Sequence, residues 1–145
     1  MPDNDPLKSL GILLAEVSRL IRRDFEQRIQ PLGLTQGQWR TLVYLSRYEG
    51  LNQASLADIL EIRPITLARL IDRLEEAGWV ERRRDPQDRR AFQLYLTDKA
   101  QPVLADIENL AIGTRKTATQ GISKAEQKQV IDILSKIKSN LLPTE

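Results

Sequence analysis

The chain has 145 residues, a formal net charge of +2, and neither cysteine nor histidine. That length is one domain's worth, enough to bury about two thirds of the unfolded chain's surface. The two missing residue types exclude disulfides, thiolate metal sites, cysteine redox sensing, zinc–imidazole centres and histidine-based acid–base chemistry or pH switching.

The first residues, Met1 to Pro6, are polar and proline-flanked, which predicts a frayed end. A long helix is expected from Leu7 to Leu32, with Leu10, Leu13, Leu14, Val17, Leu20, Ile21 and Phe25 as its apolar stripe. Asp24 and Arg28 fall on that apolar face at i, i+4, the spacing of an intrahelical or interchain ion pair. Gly33 closes the helix. Thr35 with Gln38 forms a capping box for a second helix carrying Trp39, Leu42, Val43 and Leu45 and ending before Gly50.

From Ser55 to Leu96 the pattern becomes helix, turn, helix, strand, arginine-rich loop, strand. Ser55 is the expected cap of a short helix with Leu56, Ala57, Ile59 and Leu60. Pro64 suits the first turn of the next helix, where its missing N–H costs nothing. Leu67, Leu70, Ile71 and Leu74 follow at helical spacing, and Gly78 stands where a C′ glycine ends a helix. The period then changes. Trp79 to Arg84 and Phe92 to Leu96 read as two strands turning through Pro86, Gln87 and Asp88. The loop and its edges carry Arg82, Arg83, Arg84, Arg89 and Arg90 against only Asp85 and Asp88.

Thr97 is the expected cap of a helix to about Gln120, with Val103, Leu104, Ile107, Leu110 and Ala111 on its stripe and Pro102 bending it just past the first turn. Gly121 breaks the chain, and Ser123 with Glu126 is a second capping box. The last helix repeats Gln127, Val130, Ile131, Leu134, Ile137 and Leu141. The expected fold is mainly α with a small β-wing: one domain over 1–145, with a winged helix-turn-helix at 35–96 and long flanking helices at 7–32 and 97–142. Those flanking helices carry more apolar stripe than a small central domain can cover. A two-fold dimer packing them together solves this most simply, with a monomeric helical bundle as the alternative.

Charge is distributed unevenly. All arginines but Arg115 lie between Arg19 and Arg90, and the seven lysines are Lys8 and those from Lys99 onward. Arginine is the residue suited to bidentate phosphate and guanine recognition. A helix fits the DNA major groove, and a basic hairpin reaches the adjacent backbone or minor groove. The polar positions of the second helix of the motif are Thr66, Arg69 and Arg73. With Arg63, Arg84, Asp88, Arg89 and Arg90 they make up the candidate DNA-binding set. One of Arg89 and Arg90 suits a narrow minor groove, with Asp88 buttressing the other; the sequence leaves open which. No GxSxG, P-loop, dinucleotide turn or metal-ligand spacing occurs, so neither catalytic residue nor cofactor is expected. No apolar run is long enough to span a membrane and no signal peptide is recognisable, so a cytoplasmic location is expected.

The run DPQDRRAFQLYLTDKA resembles the wing of the MarR family of bacterial transcription regulators, and LARLIDRLEEAGWVERR resembles its recognition helix and first wing strand. IQPLGLTQGQW and LTDKAQPVL are similar to its SlyA branch. The resemblance spans roughly residues 8 to 140 and implies a homodimer bound to double-stranded DNA. It implies base reading by Arg69 and groove contact by the wing arginines. In the SlyA branch it also implies a small aromatic carboxylate effector, whose ligands here would be Arg19, Arg22 and Trp39. Two guanidinium groups beside an indole provide charge at one end and stacking at the other. Ordinary solvated arginines and a core tryptophan are the alternative at these three positions. For the whole chain the rivals are an architectural or anti-silencing DNA-binding protein and a winged-helix protein-interaction module that binds no DNA.

Overall fold

The structure is a computed structural model that describes residues 5–144. Six α-helices and one hairpin follow in the order α1 (Leu10–Ile29), α2 (Gln36–Arg47), α3 (Gln53–Leu60), α4 (Pro64–Glu76), β1 (Val80–Arg84), β2 (Phe92–Leu96), α5 (Gln101–Ala118) and α6 (Lys124–Leu141). This is the mainly helical, winged helix-turn-helix arrangement expected from the sequence. Of the expected frayed end, positions 1–4 lie outside the described residues. Asp5 accepts a hydrogen bond from the Leu7 N–H at 2.9 Å and caps a 3₁₀ turn, Pro6–Ser9.

Local signals place most boundaries. Both capping boxes form, Thr35 with Gln38 and Ser123 with Glu126. Gly33 and Gly78 end their helices with positive φ. Gly78 at φ +79° occupies a left-handed conformation that only glycine adopts without strain, and the Lys99 side chain packs where a Cβ would project.

Four expectations need correction. The cap of α3 is Asn52, not Ser55: its side chain accepts from the Ala54 N–H at 2.8 Å, and Ser55 lies inside the helix. The first helix does not run unbroken over 7–32, because 3₁₀ turns occupy Pro6–Ser9 and Gln30–Leu32, each with a proline in its first positions. Thr97 starts a 3₁₀ turn, Asp98–Ala100, and donates its hydroxyl to the Gly78 carbonyl rather than capping. Pro102 therefore falls within the first turn of α5 rather than past it, where its missing N–H needs no hydrogen-bond partner.

The core lies in the winged region. Leu42 and Leu45 of α2, Leu56 and Leu60 of α3, Leu67, Ile71 and Leu74 of α4, and Val80 and Leu94 of the hairpin are buried together. Phe25 and Ile29 from the end of α1, with Ile107 of α5, close it. The hairpin is antiparallel, pairing Val80 with Leu96 through Arg84 with Phe92. The α2–α3 connection adds a third edge: Gly50 donates to the Leu94 carbonyl at 2.8 Å and Leu94 donates to Leu51 at 3.0 Å.

Asp24 and Arg28 form the expected i, i+4 pair at 2.7 Å, and it is intrahelical. It also fastens α1 to α5: Thr114 donates to Asp24 at 2.8 Å and Arg28 donates to Thr117 at 2.9 Å. Gly113 permits this, since a Cβ there would collide with the Arg28 guanidinium. These hydrogen bonds, Arg28's first, hold the Asp24 carboxyl below its ordinary value. α6 buries none of its residues. No helix among the described residues is long and apolar enough to cross a membrane.

Candidate nucleic-acid interface

α4 is amphipathic because Leu67, Ile71 and Leu74 recur at helical spacing and are fully buried. Its opposite face is thereby pushed outward, and Thr66, Arg69 and Arg73 are all exposed. Arg63 is the N-cap residue, extended and exposed just before Pro64. The turn from α3 into α4 places Glu61 in the left-handed region at φ 55°. α3 and α4 pack against each other on either side of this turn, the order of a helix-turn-helix.

A shallow groove of about 390 Å³ runs between α4 and the start of α2. Its floor is Leu60, Ile62 and Leu70, and Arg40, Arg69 and Arg73 rim it. Arg40 is not among the residues expected at this surface. Its signal is present in the helical spacing of α2: it lies one turn after Gln36 and off the Leu42–Leu45 stripe.

The wing separates its arginines. In the Arg82–Arg83–Arg84 run, Arg82 turns inward: it donates to Asp72 at 2.7 Å, to the Ala68 carbonyl at 2.9 Å, to Gln53 at 3.1 Å and to Glu75. Arg83 lies on the other face, 3.9 Å from the Tyr95 ring centre and paired with Glu81. Glu81 keeps Arg83 more firmly protonated than a free guanidinium. Only Arg84 of the three is exposed without a partner among the described residues. Strand alternation explains the split, since residues 80 and 82 share the face toward the core and residues 81 and 83 the face toward Tyr95.

At the tip, Arg89 and Arg90 are exposed. Asp88 does not buttress either guanidinium. Its carboxylate accepts the Arg90 backbone N–H at 3.0 Å, its carbonyl accepts from Ala91 at 3.0 Å, and among the described residues it forms no ion pair. A short acid one residue from the turn is satisfied locally by the backbone. All eight residues proposed for DNA are exposed, four on α4 and its N-cap and four on the hairpin. Of the three acids that could offset Arg69 and Arg73, Asp72 and Glu75 are held by Arg82, and Glu76 is exposed and forms no ion pair among the described residues.

The three effector candidates are less tightly grouped. Arg19 is exposed and Arg22 half-buried on α1, with no ion pair to either among the described residues. Trp39 packs edge-on against Phe25, which lies one helical turn along α1 from Arg22; the ring centres are 4.7 Å apart and the planes at 77°. The Trp39 indole N–H is buried with no hydrogen-bond partner among the described residues. No group of acidic side chains among the described residues is arranged to hold a metal ion.

Residues 34–92 match the family model described as the MarR family. The transcriptional regulator PA3341 is 39% identical, with 91% of this chain and 97% of that one aligned and a TM-score of 0.78. A MarR transcriptional regulator from Methanosarcina mazei Go1 is 28% identical over 92% and 96% of the two chains, with a TM-score of 0.77. A MarR-family transcriptional regulator from Silicibacter pomeroyi is 25% identical over 94% and 92%, with a TM-score of 0.80. The core, the wing and the flanking helices are therefore shared along nearly the full length, and the chain belongs to the MarR family of transcription regulators.

Proposed function

We propose that this chain is a homodimeric regulator that binds a pseudo-palindromic DNA operator. Each protomer lays α4 in a major groove and its wing in the neighbouring minor groove. The observation that carries this reading is a set of six exposed arginines, Arg63, Arg69, Arg73, Arg84, Arg89 and Arg90, none of them in an ion pair among the described residues. Such a surface is repulsive within the free protein and is relieved by phosphate. Thr66 and Arg69 read bases, since an arginine forks onto guanine O6 and N7. Arg73 lies one turn further along the same face and reaches the backbone.

Support for the dimer is the exposed apolar surface of the flanking helices, from Leu13, Val17, Leu20 and Ile21 on α1 to Val130, Ile131 and Ile133 on α6. Two-fold symmetry then demands half-sites about one helical turn apart. In the SlyA-like reading, an aromatic carboxylate sits by Arg19, Arg22 and Trp39 near the junction of α1 and the winged region. It changes the separation of the two α4 helices, and it releases DNA only by its differential affinity for the two spacings.

Selection of bound duplexes from a random pool tests this reading. The expected yield is an inverted repeat with half-site centres about 10 base pairs apart. Recovery of unselected sequence would overturn specific operator binding.

A further inference from the structure

Arg82 is the exceptional arginine of the wing. Its side chain is 17% exposed, and its guanidinium donates to Gln53, at the start of α3, and to Ala68, Asp72 and Glu75 along two turns of α4. Its own backbone N–H donates to the second oxygen of Glu75 at 3.3 Å. One side chain therefore ties the first wing strand to both helices of the helix-turn-helix.

A two-stranded hairpin has little stability alone, so its angle to the body is set where it is attached. The guanidinium is a rigid planar fork, and hydrogen bonds from three of its nitrogens resist rotation in a way a single one does not. The wing tip lies several residues beyond this attachment, so a small rotation at Arg82 becomes a large displacement at Arg89 and Arg90.

We propose that Arg82 is a positioning residue for DNA binding: it touches no DNA and fixes the wing at the angle from α4 at which both engage one duplex together. This rests on the reading of α4 and the wing as the DNA surface. Two binding elements joined rigidly act as one, and loosening the joint lowers the effective concentration of the second.

A double-mutant cycle on a selected operator tests it, using Arg82→Gln, the pair Arg89→Ala/Arg90→Ala, and the three together. Arg82→Gln should fold, because Asp72 and Glu75 are exposed enough to be solvated once released, at 60% and 35%. It should weaken binding by about tenfold and lower the slope of log K against log salt as the tip pair does. The triple variant should bind within about twofold of the weaker parent, since a wing already disengaged cannot be disengaged again. Arg82→Lys, which keeps the charge but not the fork, should fall between wild type and Arg82→Gln. Effects that multiply in the triple variant, or wild-type affinity and slope in Arg82→Gln, would overturn the proposal. If Arg82→Gln does not fold, Asp72→Asn/Glu75→Gln replaces it in the same cycle with the same expected outcomes. Amide hydrogen exchange without DNA separates the two readings. Arg82→Gln should speed exchange at residues 81–93 and leave the α2 core unchanged, and unchanged wing exchange would overturn the coupling. A wild-type protein that binds no duplex would overturn the DNA surface instead.

Discussion

At the residue scale, the eight arginines from Arg63 to Arg90 have three fates. Arg82 is consumed by Gln53, Ala68, Asp72 and Glu75, Arg83 pairs with Glu81 over the Tyr95 ring, and the other six carry no ion pair among the described residues. The inward turn of Arg82 has no local sequence signal, because its partners are 7 to 29 positions away. Only the strand's alternation, once its inner face is known, turns it inward. Arg69→Ala should cost specific binding about 1–3 kcal/mol, the worth of a bidentate base interaction, and change non-specific binding much less. Titrations on operator and scrambled duplexes check this; equal weakening on both would make Arg69 a phosphate ligand. A second prediction concerns Asp24, whose carboxyl is held below the ordinary 3.8 by hydrogen bonds from Arg28 and then Thr114. A depressed folded value means the stabilisation is fully present above 3.8 and disappears as pH falls through the lower folded value. Asp24→Asn should lower stability at neutral pH and flatten the acid limb of the melting-temperature profile. An unchanged profile would contradict the role given to this pair.

At the element scale, the signals legible in the sequence are local ones. Capping boxes at Thr35 and Ser123, the proline at the start of α4 and the glycine at 78 each act within a few residues, so one sequence suffices. The start of α3 misleads because Asn52 and Ser55 are both good caps, and the choice is made by the Asn52–Gln93 bridge to the wing, a long-range interaction. Both wing strands are legible, yet the role of Asp88 is not, since a carboxylate beside two arginines looks paired and is instead taken by the Arg90 backbone. The proposal that the wing faces DNA predicts that Arg89→Ala/Arg90→Ala weakens binding to any duplex and lowers the salt slope by about one for each phosphate no longer neutralised. Unchanged slope and affinity would remove the wing from the interface.

At the scale of the whole molecule, the flanking helices are the part that a single chain leaves unfinished. The α1 stripe is apolar as its spacing predicts, but only Phe25 and Ile29 at its end are buried, and Leu20 remains 51% and Ile131 of α6 64% exposed. Patches of this kind mark association surfaces. Leu134→Arg in the α6 seam should therefore give monomers or aggregates and abolish operator binding with every α4 and wing residue intact. Sedimentation of the variant beside the wild type checks this, and a monomeric wild type at micromolar concentration would refute the dimer. Arg19→Ala/Arg22→Ala should leave ligand-free DNA binding near wild type and abolish DNA release by a benzoate or salicylate. Release at the same concentration as wild type would move the effector elsewhere. The proposed effector site is the candidate with the least local sequence signal, because Arg19, Arg22 and Trp39 lie on two helices and no single helical periodicity joins them.

The most direct test of the account is an anisotropy titration of the wild-type protein on its selected duplex and on a scrambled duplex, each at two salt concentrations. The account predicts two protomers per duplex, tighter binding to the selected sequence by about a thousandfold or more, and affinity falling steeply with salt on both. Equal affinity for the two duplexes, or binding indifferent to salt, would contradict it.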